Sequence, residues 1–208
     1  MIEFSSRGPF REQVPIVLAS ASPRRQNLLA SLGIGFHVVP STIKEPDPAP
    51  GCDPFSYALE NAILKAQDIA AKRKEAVVIG ADTVVVIDRT ILGKPENAGH
   101  ALEMLKMLCG RDHAVITGCC IIPPSGEKPE EFTVSTRVRM EEVSEEALHR
   151  YAHSEEPMDK AGGYAIQGIG GVFVKEICGS YSNVVGLPLQ ETAAALLGMN
   201  ALTVCPAG

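Results

Sequence analysis

Apolar positions along this chain alternate between short runs and helical spacing. The run at 16–19 stops at the hydroxyls Ser20 and Ser22, and Leu28, Leu29 and Leu32 then recur at helical steps up to Gly33. This predicts a strand at 16–19 and a helix at 23–32, with Ser22 as N-cap, Pro23 in the first turn and Gly33 as the stop. A second strand follows at 36–39, then a proline-rich connection at 42–53. Phe55, Leu59, Ala62, Ala66 and Ile69 step by four and three, giving a helix over 55–72 with one buried face. Residues 76–80 are apolar and partly β-branched, which suits an interior strand; 83–87 continue extended, 88–89 turn, and 90–92 return as a hairpin arm. Further on, the pattern predicts a helix at 98–108 closed by Gly110, strands at 114–122 and 132–142 joined by a turn at 123–129, and a helix from the cap Ser144 to 154. A short strand at 164–166, glycines at 168–171, a strand at 172–177 and a last helix at 188–197 complete the series.

Strands and helices thus alternate with no internal repeat and no clear linker. The fold class expected is α/β, a mixed β-sheet with flanking helices, in one domain spanning 15–198. Residues 1–14 read as a loose, flexible polar arm and 199–208 as a frayed tail.

Charge narrows the partners. A formal net charge of −6 argues against a nucleic-acid polymer held on a basic surface, yet a nucleotide needs only a local cluster of cations. No run of about 18 apolar residues exists and the first fourteen lack an apolar signal core, so no membrane partner is expected and a cytoplasmic location is. Six cysteines without CxxC spacing read mostly as small buried hydrophobes in a reducing compartment.

Arg24 and Arg25 fall in the first turn of the predicted helix, where the positive end of the dipole disfavours cations by about a few tenths of a kcal/mol. An anion bound there resolves the conflict, since N–H groups, the Ser20 and Ser22 hydroxyls and two guanidiniums would meet one phosphate chain. A solvated charged turn is the other reading. Asp82 ends the predicted strand at 76–80, at the carboxyl end where α/β sheets gather ligands, and the small Gly80 and Ala81 leave room beside it. It can serve as a general base, a metal carboxylate, or only a turn cap. Lys65 lies at the edge of an apolar helix face, where it either snorkels outward or reaches a buried anion. Lys94 is held between Gly93 and Pro95 in a stiff loop.

Residues 155–168 mix carboxylates, a lysine and glycines ahead of Gln167, whose amide can read donors and acceptors on a base edge or merely cap a strand. Residues 180–183 make a binding loop or a turn. His149 and His153 form an i, i+4 pair without a metalloprotease pattern, and read as surface helix. No P-loop, nucleophile elbow or dinucleotide motif occurs in a proper context.

Six segments occur in a fixed order: Leu18-Ala-Ser-Ala-Ser-Pro-Arg-Arg25, Gly80-Ala-Asp-Thr83, Gly93-Lys-Pro95, Glu156-Pro-Met-Asp-Lys-Ala-Gly162, Tyr164-Ala-Ile-Gln-Gly168 and Asn183-Val-Val-Gly-Leu-Pro188. Together they resemble the Maf family (septum-formation protein), nucleotide pyrophosphatases of the same broad fold as the inosine triphosphatases. The resemblance implies two lobes around a cleft and hydrolysis of a nucleoside triphosphate between its α- and β-phosphates, with Mg²⁺ or Mn²⁺ as cofactor. By position, Ser20, Arg24 and Arg25 would hold phosphates, Lys65 and Lys94 would compensate charge, and Gln167 would line the pocket. Asp82 would be the general base or metal-linked carboxylate, with Glu45 a further metal or water contact from the proline-rich loop. The motifs resemble the subgroup linked to dTTP, UTP and modified pyrimidine nucleotides rather than the one linked to 7-methyl-GTP. A homodimer is a family-level expectation. A non-catalytic nucleotide-binding regulator of septum formation is the alternative from another class, and a nucleotidyltransferase is a second.

Overall fold

Alternation along each strand sorts the core into two layers. The computed structural model describes residues 8–124 and 128–205. Its central sheet takes β2 (Ile16–Leu18), β3 (His37–Val38), β4 (Val77–Ile87), β5 (Thr90–Leu92), β6 (Asp112–Ile122), β7 (Glu130–Met140) and β8 (Val174–Cys178) in the order β3-β2-β4-β6-β7-β8, with β5 beside β4. The β2 strand runs parallel to both β3 and β4, whereas β5 to β8 pair antiparallel, so the sheet is mixed.

On one face lies α2 (Pro54–Ala70), capped by Asp53. Its Ala62, Ala66 and Ile69 pack on Val17, Val78 and Cys120. The helix sits unusually close. A Cβ on Gly80 would lie 2.3 Å from the Ala62 carbonyl oxygen, and one on Gly118 would lie 2.5 Å from the Ala58 backbone. The small residues at 80 and 118 therefore admit a helix backbone, not a ligand, which corrects the expectation that Gly80 and Ala81 leave room for substrate. Ala81 faces the other way and is fully buried.

The opposite face carries two apolar clusters. One joins Val77, Ile79 and Ala81 to α1 (Pro23–Ala30) and α6 (Leu189–Gly198) through Leu28, Leu29 and Leu196. The second joins Val85, Ile87, Val115 and Val138 to α3 (Ala98–Leu108) and α4 (Glu145–Ala152). Between them runs a polar seam of Thr83, Thr117, Thr136 and Asn183, the last in the middle of the one-and-a-half-turn helix α5 (Tyr181–Val185). Asn183 donates to the Val115 carbonyl and to Thr136 Oγ1, so the 180–183 segment packs as a helical turn.

Three features depart from the sequence reading. First, β4 is one strand of 11 residues, so Asp82 stands in its middle and not at its carboxyl end. Pairing with β6 continues through Gly80, Ala81 and Asp82, past the strand end expected at Asp82. Second, Phe10–Glu12 forms β1 and pairs antiparallel with β9 (Leu202–Val204), so parts of the expected arm and tail hold each other; residues 1–7 and 206–208 lie outside the described residues. Third, 164–168 is turn rather than strand, and three 3₁₀ segments (Glu156–Asp159, Ala161–Gly163, Ile169–Phe173) fill the stretch before β8. The expected turn at 123–129 falls partly on 125–127, outside the described residues. Cys119 and Cys120 are buried, and burial pushes each thiol up to about 12, but Cys52, Cys109 and Cys205 are half-buried and Cys178 is exposed, so the cysteines are not mostly buried as expected. Among the described residues no helix is long and apolar enough to cross a membrane.

Candidate active site

One edge of β4 is left open. The β2 pairing covers Val77 to Ile79 and the β5 pairing covers Val85 to Ile87; between them no strand lies beside that edge among the described residues. A cavity of about 650 Å³ opens at this gap, and Ser20, Arg24, Arg25, Glu45, Lys65, Asp82, Lys94 and Gln167 all line it. The topology explains the convergence. Ser20 follows β2, Arg24 and Arg25 begin α1, Asp82 is on the open edge, Lys94 follows β5, and α2 lays Lys65 across the top.

Asp82 points toward α2, on the same side as Gly80, whose missing Cβ sets the helix height. Its Oδ1 accepts from Lys65 Nζ at 2.6 Å, and its Oδ2 accepts from Asn61 Nδ2 at 3.3 Å. The same ammonium lies 2.5 Å from Glu45 Oε1. Lys65 therefore does not snorkel. Its side chain is only 12% exposed and bridges two carboxylates. For Glu45, burial acts to raise the carboxyl pKa, but the Lys65 hydrogen bond and charge, then Lys94 and Arg25, outweigh it and hold the group below the usual carboxylate range. Tyr57, Asn61 and Lys65 fall at four-residue steps on α2. That polar stripe beside the Ala58, Ala62 and Ala66 stripe was the sequence signal for Asn61, which the motif reading missed.

The two arginines differ. Arg25 threads the polar seam: its Nε donates to the Gly186 carbonyl at 2.7 Å, one terminal nitrogen to Ser20 Oγ at 3.3 Å and the other to Thr83 Oγ1 at 2.9 Å. Burial lowers its pKa, and the charge of Asp82 acts in the other direction. Three nitrogens so committed fix the plane of the guanidinium and leave only its remaining N–H bonds for a ligand. Arg24 stands at the mouth and pairs with Asp159 at 3.1 Å, an exposed contact that a ligand can displace cheaply. Both lie on α1, whose cap Ser22 accepts from the Arg25 amide. Protein acceptors therefore meet both cations and ease the dipole conflict noted for them. Gln167 is exposed in a turn, and its wall is held from behind by Tyr151 and Glu156.

Residues 15–199 match the Maf-like protein family. The chain is 47% identical over 199 residues to the dTTP/UTP pyrophosphatase of Nitratidesulfovibrio vulgaris, spanning 96% of this chain and 94% of that protein. It is 46% identical to the dTTP/UTP pyrophosphatase of Syntrophus aciditrophicus, across 90% of this chain and 91% of that one. A solved nucleoside-triphosphatase / dITP/XTP pyrophosphatase from Mycobacterium abscessus aligns over 89% of this chain and 96% of that chain at 13% identity and a TM-score of 0.45. The matched span begins before β2 and ends with α6, so every wall of the cleft falls inside it: the chain belongs to the Maf-like protein family.

Proposed function

We propose that the protein hydrolyses nucleoside triphosphates, with dTTP and UTP as the preferred class, to the monophosphate and pyrophosphate. Relatives of near-equal length carry that activity in their names. The single observation that carries the reading is the Lys65 ammonium bridging Asp82 and Glu45 in a cleft that also holds Arg24 and Lys94.

The resemblance implies a divalent cation, and the donor set fits one. Glu45 Oε1 and Asp82 Oδ1 both reach a single cationic atom, at 2.5 and 2.6 Å. Magnesium sites of phosphate enzymes use one or two carboxylates and take their other ligands from water and substrate phosphate. Glu45 and Asp82 would hold the ion as a carboxylate pair. When bound, Mg²⁺ or Mn²⁺ supplies Lewis-acid polarisation of the phosphoryl oxygens.

The chain's own groups do the rest. Arg24 and Lys94 bind phosphate oxygens; Arg24 exchanges Asp159 for the ligand, gaining charge-assisted hydrogen bonds. Lys65, 12% exposed, would yield Glu45 Oε1 and Asp82 Oδ1 to the ion and offset charge that builds on the departing pyrophosphate, where low local dielectric makes a nearby cation effective. Asp82 Oδ2, the oxygen not bound to Lys65, orients the attacking water and takes its proton. Asn61 fixes the carboxylate plane for that task.

A pyrophosphate-release screen across the common and methylated nucleoside triphosphates, with Mg²⁺ and Mn²⁺ separately, tests the reading. Release greatest with dTTP and UTP is expected. Nucleotide binding with no pyrophosphate from any of them would leave a binding regulator in its place.

A further inference from the structure

The wall of the cleft that carries Gln167 has no regular structure of its own. Tyr164, Ala165, Ile166 and Gln167 line the cavity from a turn, and Asp159, Lys160 and Ala161 line it from the preceding 3₁₀ segments. A short irregular stretch keeps one shape only if its backbone groups find partners elsewhere. Some are met within the backbone, as where the Gly162 amide donates to the Gly93 carbonyl and the Gly168 amide to the Ala165 carbonyl, and one carboxylate supplies two more. Glu156 Oε1 accepts from the Gly170 amide at 2.9 Å and from the Tyr151 hydroxyl at 2.8 Å, and Glu156 Oε2 accepts from the Ile169 amide at 2.9 Å. The Tyr151 oxygen in turn accepts from the Ala165 amide at 3.3 Å. The Glu156 backbone carbonyl also accepts from Lys160 Nζ at 2.9 Å.

Ala165 on one side of Gln167 and Ile169 and Gly170 on the other are therefore tied to the same two side chains. The fit leaves no slack. A Cβ on Gly168 would fall 2.2 Å from Glu156 Oε2, and one on Gly170 would fall 2.4 Å from the Tyr151 hydroxyl oxygen. Tyr151 is itself 4% exposed, on α4, with its ring edge-on to Phe173 at 5.1 Å, so the clamp is anchored in the second apolar cluster. For Glu156, burial acts to raise the pKa, but the two amides and the Tyr151 hydroxyl overcome it and keep the group ionised.

Neither Glu156 Oε1 nor Oε2 has a contact with the phosphate-side groups Arg25, Lys65 or Asp82 among these bonds. Most of the cavity's cations gather at the α1, α2 and β5 ends; this wall carries Lys160, which is held by Asp159 and the Glu156 carbonyl, and otherwise offers an amide, backbone groups and the side chains of Tyr164, Ala165 and Ile166 beside Val85 and Val115. Such a mixture suits an uncharged planar ligand part rather than a phosphate. We propose that Glu156 and Tyr151 form a clamp that positions the 165–170 turn to select the nucleobase half of the substrate, acting through Gln167 and its neighbours without touching the phosphates. The proposal rests on the nucleotide reading of the cleft. Glu156 and Tyr151 are positioning residues in this scheme.

Glu156→Gln keeps size but replaces one acceptor oxygen by an NH₂ that cannot accept from an amide, so one of the two turn contacts is lost. Tyr151→Phe removes the bridge to Ala165 and keeps the ring. The test measures, with Ca²⁺ in place of the activating ion, the affinity of each variant for dTTP and for inorganic tripolyphosphate, a probe with no base. The result expected for Glu156→Gln is dTTP binding weakened about tenfold or more and tripolyphosphate binding changed by less than about twofold, with a smaller loss of the same kind for Tyr151→Phe. Amide exchange at Ile169 and Gly170 should quicken in parallel. Equal weakening of both ligands, or no weakening of dTTP, overturns the proposal. If Glu156→Gln proves unfolded by circular dichroism, Tyr151→Phe is judged by the same criterion. Binding needs no turnover, so a wild-type protein that binds dTTP but releases no pyrophosphate removes the hydrolase reading and leaves the clamp to stand or fall on these affinities.

Discussion

Asp82 and Glu45 reach the same ammonium from two very different pieces of backbone. Asp82 is 6% exposed, in the middle of an 11-residue strand paired along its length with β6. Its distance to Lys65 follows from how closely α2 can approach Gly80 and Gly118. Glu45 sits in the proline-rich connection, where every residue from 42 to 51 is exposed. That loop is tied to α2 at two points: Asp68 accepts from the Ser41 hydroxyl at 2.8 Å and the Thr42 amide at 3.2 Å, and the Tyr57 hydroxyl donates to the Pro46 carbonyl at 2.9 Å. One carboxylate is preset by packing. The other is placed by a few surface hydrogen bonds and by the charge of Lys65. The difference teaches that the pair joins an acid fixed by packing to one held by a tethered loop, and on the proposed function the second is the one that can adjust as substrate enters and leaves.

The sharpest way to break this comparison is to neutralise each acid in turn. Asp82→Asn should lower pyrophosphate release by about 10²-fold or more, because the base is lost, whereas Glu45→Gln should cost about tenfold. Equal losses in steady-state rates would erase the distinction. Next in size is a packing test. Gly80→Ala puts a methyl 2.3 Å from a helix carbonyl, so α2 must shift, and chemical unfolding should show a loss of about 1–3 kcal/mol. Pro48→Ala in the exposed loop should cost less than about 1 kcal/mol. A Gly80→Ala protein as stable as the parent would mean that the close approach does not set the Lys65–Asp82 distance.

A pH series sharpens the account of Glu45. Lys65 holds its carboxyl below the usual range, so its ionised form is favoured in the fold, and that contribution is present above the unfolded value and lost as pH falls through the lower folded value. The rate ratio of parent to Glu45→Gln should stay flat from pH 7 to about 5 and decline only below about 4.3. A decline already complete at pH 6 would contradict it. The smallest effect is expected for Tyr57→Phe, which frees one of the two loop tethers. KM for the metal–nucleotide complex should rise about threefold with kcat nearly unchanged, since a single exposed hydrogen bond contributes little net free energy. A kcat loss above tenfold would assign Tyr57 a larger part than loop placement.

Much of the molecule was legible from local pattern. The α3 bounds follow from the Asn97 cap and from Gly110, whose φ of 69° suits the residue after a helix. All eight residues proposed for the site line one cavity, which local pattern could suggest only through the order of the motifs. What escaped depended on distant pairing. Phe10–Glu12 and Leu202–Val204 are three-residue strands that exist only because each supplies the other's backbone partners. The strand end expected at Asp82 is carried past by pairing with β6, whose partners at 118–120 lie far along the chain. The glycines there look permissive in isolation, yet they record the approach of a helix. Asn61 was visible only as part of a four-residue stripe whose meaning depends on what lies beneath α2.

Phosphorus-31 NMR of dTTP turned over in ¹⁸O-enriched water asks which bond the cleft opens and where water attacks. We expect dTMP and pyrophosphate in equal amounts, with the heavy oxygen in dTMP. Formation of dTDP with inorganic phosphate, or an unchanged dTTP spectrum with either metal, would contradict the account.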